Sequence, residues 1–245
     1  MITTMIFDLD GTLVQTERLK ALSYARAAVL LCPELDETAV IAAFKEVVGL
    51  SRREVAQGLM TRFDLTAPAE ARMAEFGVAT PWQAYVQLRL QIYDQMLADP
   101  EVIRGNQWPH NMALLQAARQ NCRYVGLATM STCAQVQRVL QILELDTAFD
   151  FIASRDDVEH GKPDPEIYWL VAYELGVDPT ECLVVEDSPA GVQAALAAGM
   201  QVIAVSTPFT RQRLHESSLL PEALIVDEPE RVTAGAAAII HQSGA

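Results

Sequence analysis

The stretch MIFDLDGTLV, residues 5–14, decides the fold predicted for this chain. Residues 2–7 are mostly apolar or β-branched, as expected of a strand buried on both faces. Asp8 and Asp10 follow at once, and the glycine after them ends the strand because glycine adopts turn conformations that other residues resist. Open parallel sheets bind ligands at the carboxyl ends of their strands. The two acids are therefore predicted at the mouth of a site, with Leu9 between them pointing elsewhere.

Two carboxylates this close repel each other unless a cation or a shared proton intervenes. A hard divalent cation with oxygen ligands, such as Mg²⁺, would relieve the repulsion. One aspartate could then act as a nucleophile and the other as a general acid and base. The alternative is a polar turn after a strand, in which the aspartates bond to local amides.

Three later positions carry further candidate site residues. Thr129 closes the apolar segment 125–128, where its hydroxyl could bond a phosphoryl oxygen or cap a helix. Lys162 lies in the loop GKPDP and is a compact charge suited to a phosphoryl oxygen or a carboxylate, although many such lysines are solvated. Glu186 and Asp187 end another buried segment. If these strand ends converge, four carboxylates meet at one place, which requires a cation.

The chain changes character along its length. Residues 16–98 read as successive helices, in which SRRE (51–54) and TPWQ (80–83) fit capping boxes. The chain after them alternates short strands with helices, which predicts βαβ units and a parallel sheet covered by helices on both faces. We therefore expect an α/β core of residues 1–15 and 99–245, interrupted by the helical segment 16–98.

Composition limits the function classes. The formal net charge of −14 argues against nucleic acid or an anionic membrane as a partner. The four cysteines are far apart and form no C-x-x-C motif, which favours reduced thiols and a cytoplasmic location. No secretory signal is recognised, and no apolar run reaches the roughly 18 residues that a membrane span needs. We expect a monomer or a weak homodimer.

The motifs together resemble those of the haloacid dehalogenase superfamily. FDLDGTLV resembles its first motif, and Thr129, GKPDP and VVEDSPAG resemble the later motifs in the same order. The resemblance implies a doubly wound parallel sheet, Rossmann-like, with an α-helical cap inserted after the first strand. GKPDP and VVEDSPAG point to the branch that includes β-phosphoglucomutase and small sugar-phosphate phosphatases.

The resemblance also implies roles for individual residues. Asp8 attacks phosphorus, Asp10 protonates the leaving group and then activates water, Thr129 holds the phosphoryl group, and Lys162 neutralises phosphate and nucleophile. The implied Mg²⁺ ligands are Asp8, Asp10 through its backbone carbonyl, Glu186 and Asp187. The implied substrate-binding residues are Leu9, Met130, Glu17 and Arg52. Met130 stands where the family often has Ser or Asn, so only its backbone N–H remains usable. The segment 49–52 resembles a substrate loop of the branch.

The sequence thus predicts an Mg²⁺-dependent phosphatase that hydrolyses a small phosphorylated metabolite, a sugar phosphate, through an aspartyl phosphate. The nearest alternative is a phosphomutase of the β-phosphoglucomutase type. Glu17 fits that branch, but Lys20 stands where mutases typically carry His, and Gln15 where Asp is frequent. A further alternative is a non-catalytic protein that binds a phosphometabolite, since fold alone does not determine function.

Overall fold

The computed structural model describes residues 1–47 and 51–242. The chain divides into two compact units. The larger unit contains Met1–Gln15 and Ile103–Ala245, and the smaller contains Thr16–Val102.

A single parallel sheet of six strands forms the centre of the larger unit. In chain order the strands are β1 (Thr4–Phe7), β2 (Tyr124–Ala128), β3 (Phe151–Ala153), β4 (Cys182–Glu186), β5 (Gln201–Val205) and β6 (Ile225–Val226). Their spatial order is β3-β2-β1-β4-β5-β6, and every pair of neighbours is parallel. This arrangement confirms the predicted α/β fold with a doubly wound parallel sheet.

The smaller unit consists of helices in the part of the chain that the structure describes. They are α1 (Thr16–Leu31), α2 (Glu37–Val47), α3 (Arg52–Phe63), α4 (Thr66–Glu70), α5 (Met73–Phe76) and α6 (Pro81–Ala98), and α7 (Pro100–Arg104) follows at the boundary between the units. Buried aromatic side chains join three of these helices. The rings of Tyr85 and Phe44 each lie 5.6 Å from that of Tyr24, and the Tyr85 hydroxyl donates to the Tyr24 carbonyl.

The two predicted capping boxes in this unit have different outcomes. Ser51 and Glu54 form theirs, because the Glu54 N–H donates to the Ser51 hydroxyl at 3.3 Å and the Ser51 N–H donates to the Glu54 carboxylate at 2.9 Å. The box predicted at Thr80 is wrong. The Gln83 side-chain oxygen instead accepts from the Thr80 hydroxyl and the Ala79 N–H, so the Thr80 hydroxyl does not cap the helix.

In the larger unit, one of the helices below follows each of the six strands along the chain. They are α8 (Pro109–Asn121), α9 (Cys133–Ile142), α10 (Glu166–Leu175), α11 (Pro189–Ala197), α12 (Arg211–Ser217) and α13 (Val232–Gln242). Helix α10 packs closely on β2. A Cβ at Gly126 would lie 2.6 Å from Val171 Cγ1, so the absent side chain permits this approach. The interior between α10, α11 and the sheet is apolar and buried.

The register of the central strands places the predicted site residues together. Phe7, the last residue of β1, is opposite Leu127 of β2 and Val185 of β4. Because the strands are parallel, the residues that follow them emerge at one edge of the sheet. Asp8 follows β1, Thr129 follows β2, and Glu186 and Asp187 lie at the end of β4 and just after it.

None of the described helices is both long enough and apolar enough to cross a membrane.

Candidate active site

Lys162 joins two of the predicted site carboxylates. Its ammonium donates to Asp8 Oδ1 at 2.7 Å, to Glu186 Oε1 at 2.6 Å and to the Ala128 carbonyl at 3.0 Å. The Lys162 side chain is only 5% exposed, and those of Asp8 and Glu186 are 7% and 1% exposed. The lysine of the GKPDP loop therefore connects the ends of the three central strands.

Glu186 is held by donors on both of its oxygens. Oε1 accepts from Lys162 and from the Tyr168 hydroxyl, the latter at 3.0 Å. Oε2 accepts from the N–H groups of Asp187 and Ser188 and from the Ser188 hydroxyl, at 2.9 to 3.1 Å. A Cβ at Gly191 would overlap this carboxylate, so the first turn of α11 requires glycine there. Glu186 is thereby fixed in orientation and can position the Lys162 ammonium.

Burial has the largest single influence on the pKa values of Asp8 and Lys162. It raises the pKa of Asp8 to about 8, with Glu186 and Asp10 adding to the rise and Lys162 opposing it. Burial acts to lower the pKa of Lys162, but Asp8 and Glu186 outweigh it and hold that pKa well above its ordinary value. One ammonium shared between two buried carboxylates leaves the site short of positive charge.

Asp10 is oriented by two hydroxyl groups. Its Oδ2 accepts from Thr129 Oγ1 at 3.1 Å and from Ser131 Oγ at 2.6 Å, while the Ser131 N–H donates to Thr129 Oγ1 at 3.1 Å. Thr129 is fully buried. The hydroxyl predicted to contact a phosphoryl oxygen is thus bonded to Asp10 in this structure, and Ser131 is a site residue that we did not predict.

The turn after β1 fixes both aspartates. Gly11 has a φ of 88°, in the left-handed region that glycine occupies readily, and its N–H donates to the Val14 carbonyl. The Leu9 carbonyl accepts from the Leu13 and Val14 N–H groups, and the Leu9 residue is 1% exposed. These bonds fold the DLDGTLV segment back on itself, so Asp8 and Asp10 are held by backbone structure on each side of Leu9.

The loop that carries Lys162 is braced from α10. The Glu166 carboxylate accepts from the Glu159 and His160 N–H groups at 2.9 and 2.7 Å. A Cβ at Gly161 would lie 2.6 Å from Met130 Cε, so the half-buried Met130 side chain packs against the glycine of GKPDP. Met130 therefore supports the lysine loop through its side chain, in addition to the backbone role predicted for it.

Three of the four predicted metal ligands form a compact group. Oxygen atoms of Asp8, Glu186 and Asp187 all lie within 4.8 Å of one another, and the three residues are buried. Hard oxygen donors of this kind fit a hard divalent cation, and the local excess of negative charge fits it as well. Among the described residues, this is the one group with metal-ligand spacing, and the Asp10 side chain does not belong to it.

The remaining predicted substrate residues lie in the smaller unit. Glu17 is in the first turn of α1 and is partly exposed, and Arg52 is the first residue of α3 and is exposed. Gly49 and Leu50 of the predicted substrate loop lie outside the described residues. Gln15 belongs to the larger unit, where its side-chain amide donates to the Gln107 carbonyl at 3.3 Å.

A family model for haloacid dehalogenase-like hydrolases matches residues 2–199 of the chain. The chain belongs to this family. The match includes all four carboxylates, the lysine loop and the helical segment, and so identifies the chain as an enzyme of the hydrolase class.

Individual relatives of this haloacid dehalogenase-like hydrolase agree with the assignment. Hexitol phosphatase B of Escherichia coli K12 is 30% identical over 211 residues, which are 84% of this chain and 85% of the relative. The fructose-1-phosphate phosphatase of the same strain is 30% identical over 203 residues, 82% of this chain and 95% of the relative. The crystal structure of β-phosphoglucomutase from Clostridium difficile has the same fold, with a TM-score of 0.66 at 23% identity, covering 99% of this chain and 97% of that one.

Proposed function

We propose that this hydrolase is an Mg²⁺-dependent phosphatase that acts on a small sugar phosphate through an aspartyl phosphate on Asp8. The observation that carries the proposal is the direct contact of Asp8 with the Lys162 ammonium, beside a second carboxylate, Asp10, that two hydroxyls orient. The phosphatase names of the 30% identical relatives support the same reaction class.

The proposed first step transfers the phosphoryl group to the enzyme. An Asp8 oxygen forms a bond to phosphorus while the bond from phosphorus to the ester oxygen breaks, and Asp10 gives its proton to the leaving oxygen. Lys162 offsets the repulsion between the Asp8 carboxylate and the phosphate dianion. Thr129 and Ser131 keep Asp10 in one orientation, which favours proton transfer at a fixed position.

The second step regenerates the enzyme. Asp10, now ionised, takes a proton from water while the water oxygen bonds to phosphorus. The bond between phosphorus and Asp8 breaks, and inorganic phosphate leaves. Because the same side chain gives and then takes the proton, its orientation matters in both steps.

Asp8, Glu186 and Asp187 would hold Mg²⁺. When bound, the ion supplies positive charge that lowers the repulsion around the transferred phosphoryl group. In the smaller unit, Glu17 and Arg52 are proposed to contact the rest of the substrate.

Product analysis separates the phosphatase from the phosphomutase. We expect incubation with hexose and hexitol phosphates to release inorganic phosphate in an amount equal to the dephosphorylated product. The control is glucose 1-phosphate supplied with a bisphosphate phosphoryl donor. Efficient formation of glucose 6-phosphate with little free phosphate would contradict the proposal and establish the mutase.

Mg²⁺ should stabilise the protein more strongly as pH rises. Because the pKa of Asp8 is raised in the folded protein, the folded state binds more protons than the unfolded state between the two pKa values. Without the ion, stability should therefore fall as the pH rises from about 4 to about 8, since Asp8 ionises among other carboxylates. A proton on Asp8 also competes with the metal for the carboxylate.

Melting curves with Mg²⁺ or a chelator, compared at about pH 6 and about pH 8, measure the rise in Tm that Mg²⁺ causes. The expectation would be contradicted if Mg²⁺ did not raise Tm, or if it raised Tm less at the higher pH than at the lower.

A further inference from the structure

Asn111 is a buried residue of α8 whose side chain reaches the loop after β1. The residue is 3% exposed, and its side-chain Nδ2 donates to the Thr12 carbonyl at 2.6 Å, although the two residues are 99 positions apart in the chain. Because a carbonyl oxygen only accepts, Thr12 itself determines which end of the amide faces it. Asn111 therefore connects α8 to the segment that carries Asp10.

The amide of Asn111 serves this contact and not its own helix. Asn111 lies in the first turn of α8, where asparagine side chains commonly bond to the nearby backbone. Its Nδ2 instead leaves the helix for Thr12, and its Oδ1 has no donor among the described residues. The contribution of this side chain is thus its bond to the loop after β1.

A backbone hydrogen bond joins the same two segments further from Asp10. The Trp108 N–H donates to the Leu13 carbonyl at 2.9 Å. Asn111 adds its bond at Thr12, two residues after Asp10. Each intervening residue adds two rotatable backbone dihedrals, so a bond closer to the carboxylate restricts its position more. Without Asn111, the part of the turn next to Asp10 would lose this attachment to α8.

A small cavity beside this contact limits how firmly packing can hold the turn. The cavity is lined by Gly11, Trp108 and Asn111 and by the last residues of β5 and β6, Val205 and Val226. It offers about 10 Å³ to the centre of a water molecule, which is about the room that one water needs. Atoms that border a cavity lack packing partners on one side. A directional hydrogen bond is therefore the more effective restraint at this point.

We propose that Asn111 is a positioning residue, which holds the turn after β1 so that the Asp10 carboxylate meets the leaving oxygen. This rests on the proposed function, in which Asp10 gives and then takes a proton. Thr129 and Ser131 orient the Asp10 carboxylate, whereas Asn111 restrains the backbone that carries it. Reacting groups must be held to within about 0.5 Å. Loss of this restraint should therefore slow the reaction more than it destabilises the fold.

The test compares esters whose leaving groups differ in their need for a proton. Asn111→Leu keeps a side chain of similar size and removes the amide, and Asn111→Ser keeps a polar group with a shorter reach. We expect kcat/KM for the alkyl esters fructose 1-phosphate and glucose 6-phosphate to fall about a hundredfold in either variant. For p-nitrophenyl phosphate, whose phenolate leaves without a proton, the fall should be less than about threefold.

The comparison separates Asp10 from Asp8. The value of kcat/KM reports the steps up to the transfer of the phosphoryl group to Asp8, which both classes of ester require. Asp8 is held separately, because its N–H donates to the Val185 carbonyl of β4 at 3.0 Å. A merely structural role for Asn111 would slow both classes alike. Equal losses, or no loss, would overturn the proposal.

Hydrogen exchange measures the same restraint without turnover. The Leu13 and Val14 N–H groups are bonded to Leu9 within the turn, so their exchange reports how often it opens. Peptides covering residues 9–15 should exchange about tenfold faster in Asn111→Leu than in the wild type. Unchanged exchange would overturn the proposal. This measurement also decides if the wild type hydrolyses no ester, a result that would contradict the proposed function alone.

Asn121→Leu is the matched control. Asn121 is exposed on the same helix, and its side-chain amide donates to the Ala117 carbonyl of that helix at 2.8 Å. The same chemical change there should alter neither kcat/KM for any of the esters nor exchange in residues 9–15. Circular dichroism establishes that each variant folds, and if Asn111→Leu does not fold, both measurements are decided on Asn111→Ser.

Discussion

Replacing Asp8 with asparagine is expected to reduce phosphate release by about four orders of magnitude or more, because the amide cannot serve as the nucleophile. The substitution keeps the shape of the side chain and removes one charge from a site crowded with carboxylates. Since burial and neighbouring acids raise the pKa of Asp8, loss of that charge should leave Tm unchanged or higher. Initial rates of phosphate release and thermal melting followed by circular dichroism measure both effects.

Asp146→Asn is the matched control for this substitution. Asp146 is exposed and belongs to the larger unit, so the same chemical change there should leave the rate and Tm at wild-type values. If Asp8→Asn retained a rate within about tenfold of wild type, Asp8 would not be the nucleophile.

Replacing Lys162 with methionine should damage both catalysis and stability. The buried Asp8 and Glu186 carboxylates would lose their shared ammonium, which lies 2.7 and 2.6 Å from them. Removing one partner of a buried ion pair costs about 3–5 kcal/mol, or about 6–20 °C in Tm for a chain of this size. Lys162 lowers the pKa of Asp8, so in the variant that pKa should lie above its wild-type value of about 8, and a proton on Asp8 should offset part of the loss. The loss of Tm should therefore be larger above about pH 8 than below it. We expect phosphate release to fall by about a thousandfold.

Arg138→Met is the control for the lysine substitution. Arg138 is an exposed cation on α9, and its replacement also removes one positive charge from the larger unit. It should change neither the rate nor Tm. A Lys162→Met protein with wild-type Tm at pH values on both sides of the Asp8 pKa would show that the ammonium does not compensate the two carboxylates.

Much of the core could be predicted because each strand can be recognised from its own residues and from the turn or cap that follows it. The β-branched, apolar segments before Asp8, Thr129 and Glu186 are short and end in turn or cap signals. The sequence therefore indicates both that they are strands and where they end. The order in which they pair is not a local property. Parallel register across residues more than a hundred positions apart depends on packing of the whole sheet, and the sequence only predicts that these ends converge.

The shortest helices cannot be delimited from the sequence. Thr66–Glu70, Met73–Phe76 and Pro100–Arg104 contain four or five residues, too few to establish a helical period. The failed capping box at Thr80 has another cause. Gln83 could bond to the Thr80 backbone or accept from the Ala79 N–H, and the spacing of the residues is the same in both cases.

Two site residues lie outside the motifs. Ser131 lies two positions after the expected hydroxyl and reaches Asp10 because the turn after β2 directs it there. Tyr168 reads as part of the apolar face of α10, yet its hydroxyl bonds to Glu186. In each case the signal is a contact between segments distant in sequence.

Peptide mass spectrometry can detect the proposed phosphoryl group on Asp8 during turnover. Wild-type protein is mixed with a sugar phosphate that it hydrolyses and is quenched in acid during turnover. We expect a peptide spanning residues 5–14 to gain the mass of one phosphoryl group, localised to Asp8, and we expect no such gain in Asp8→Asn. Steady turnover without any phosphorylated peptide, or with the phosphoryl group on another residue, would contradict the role of Asp8 as the nucleophile.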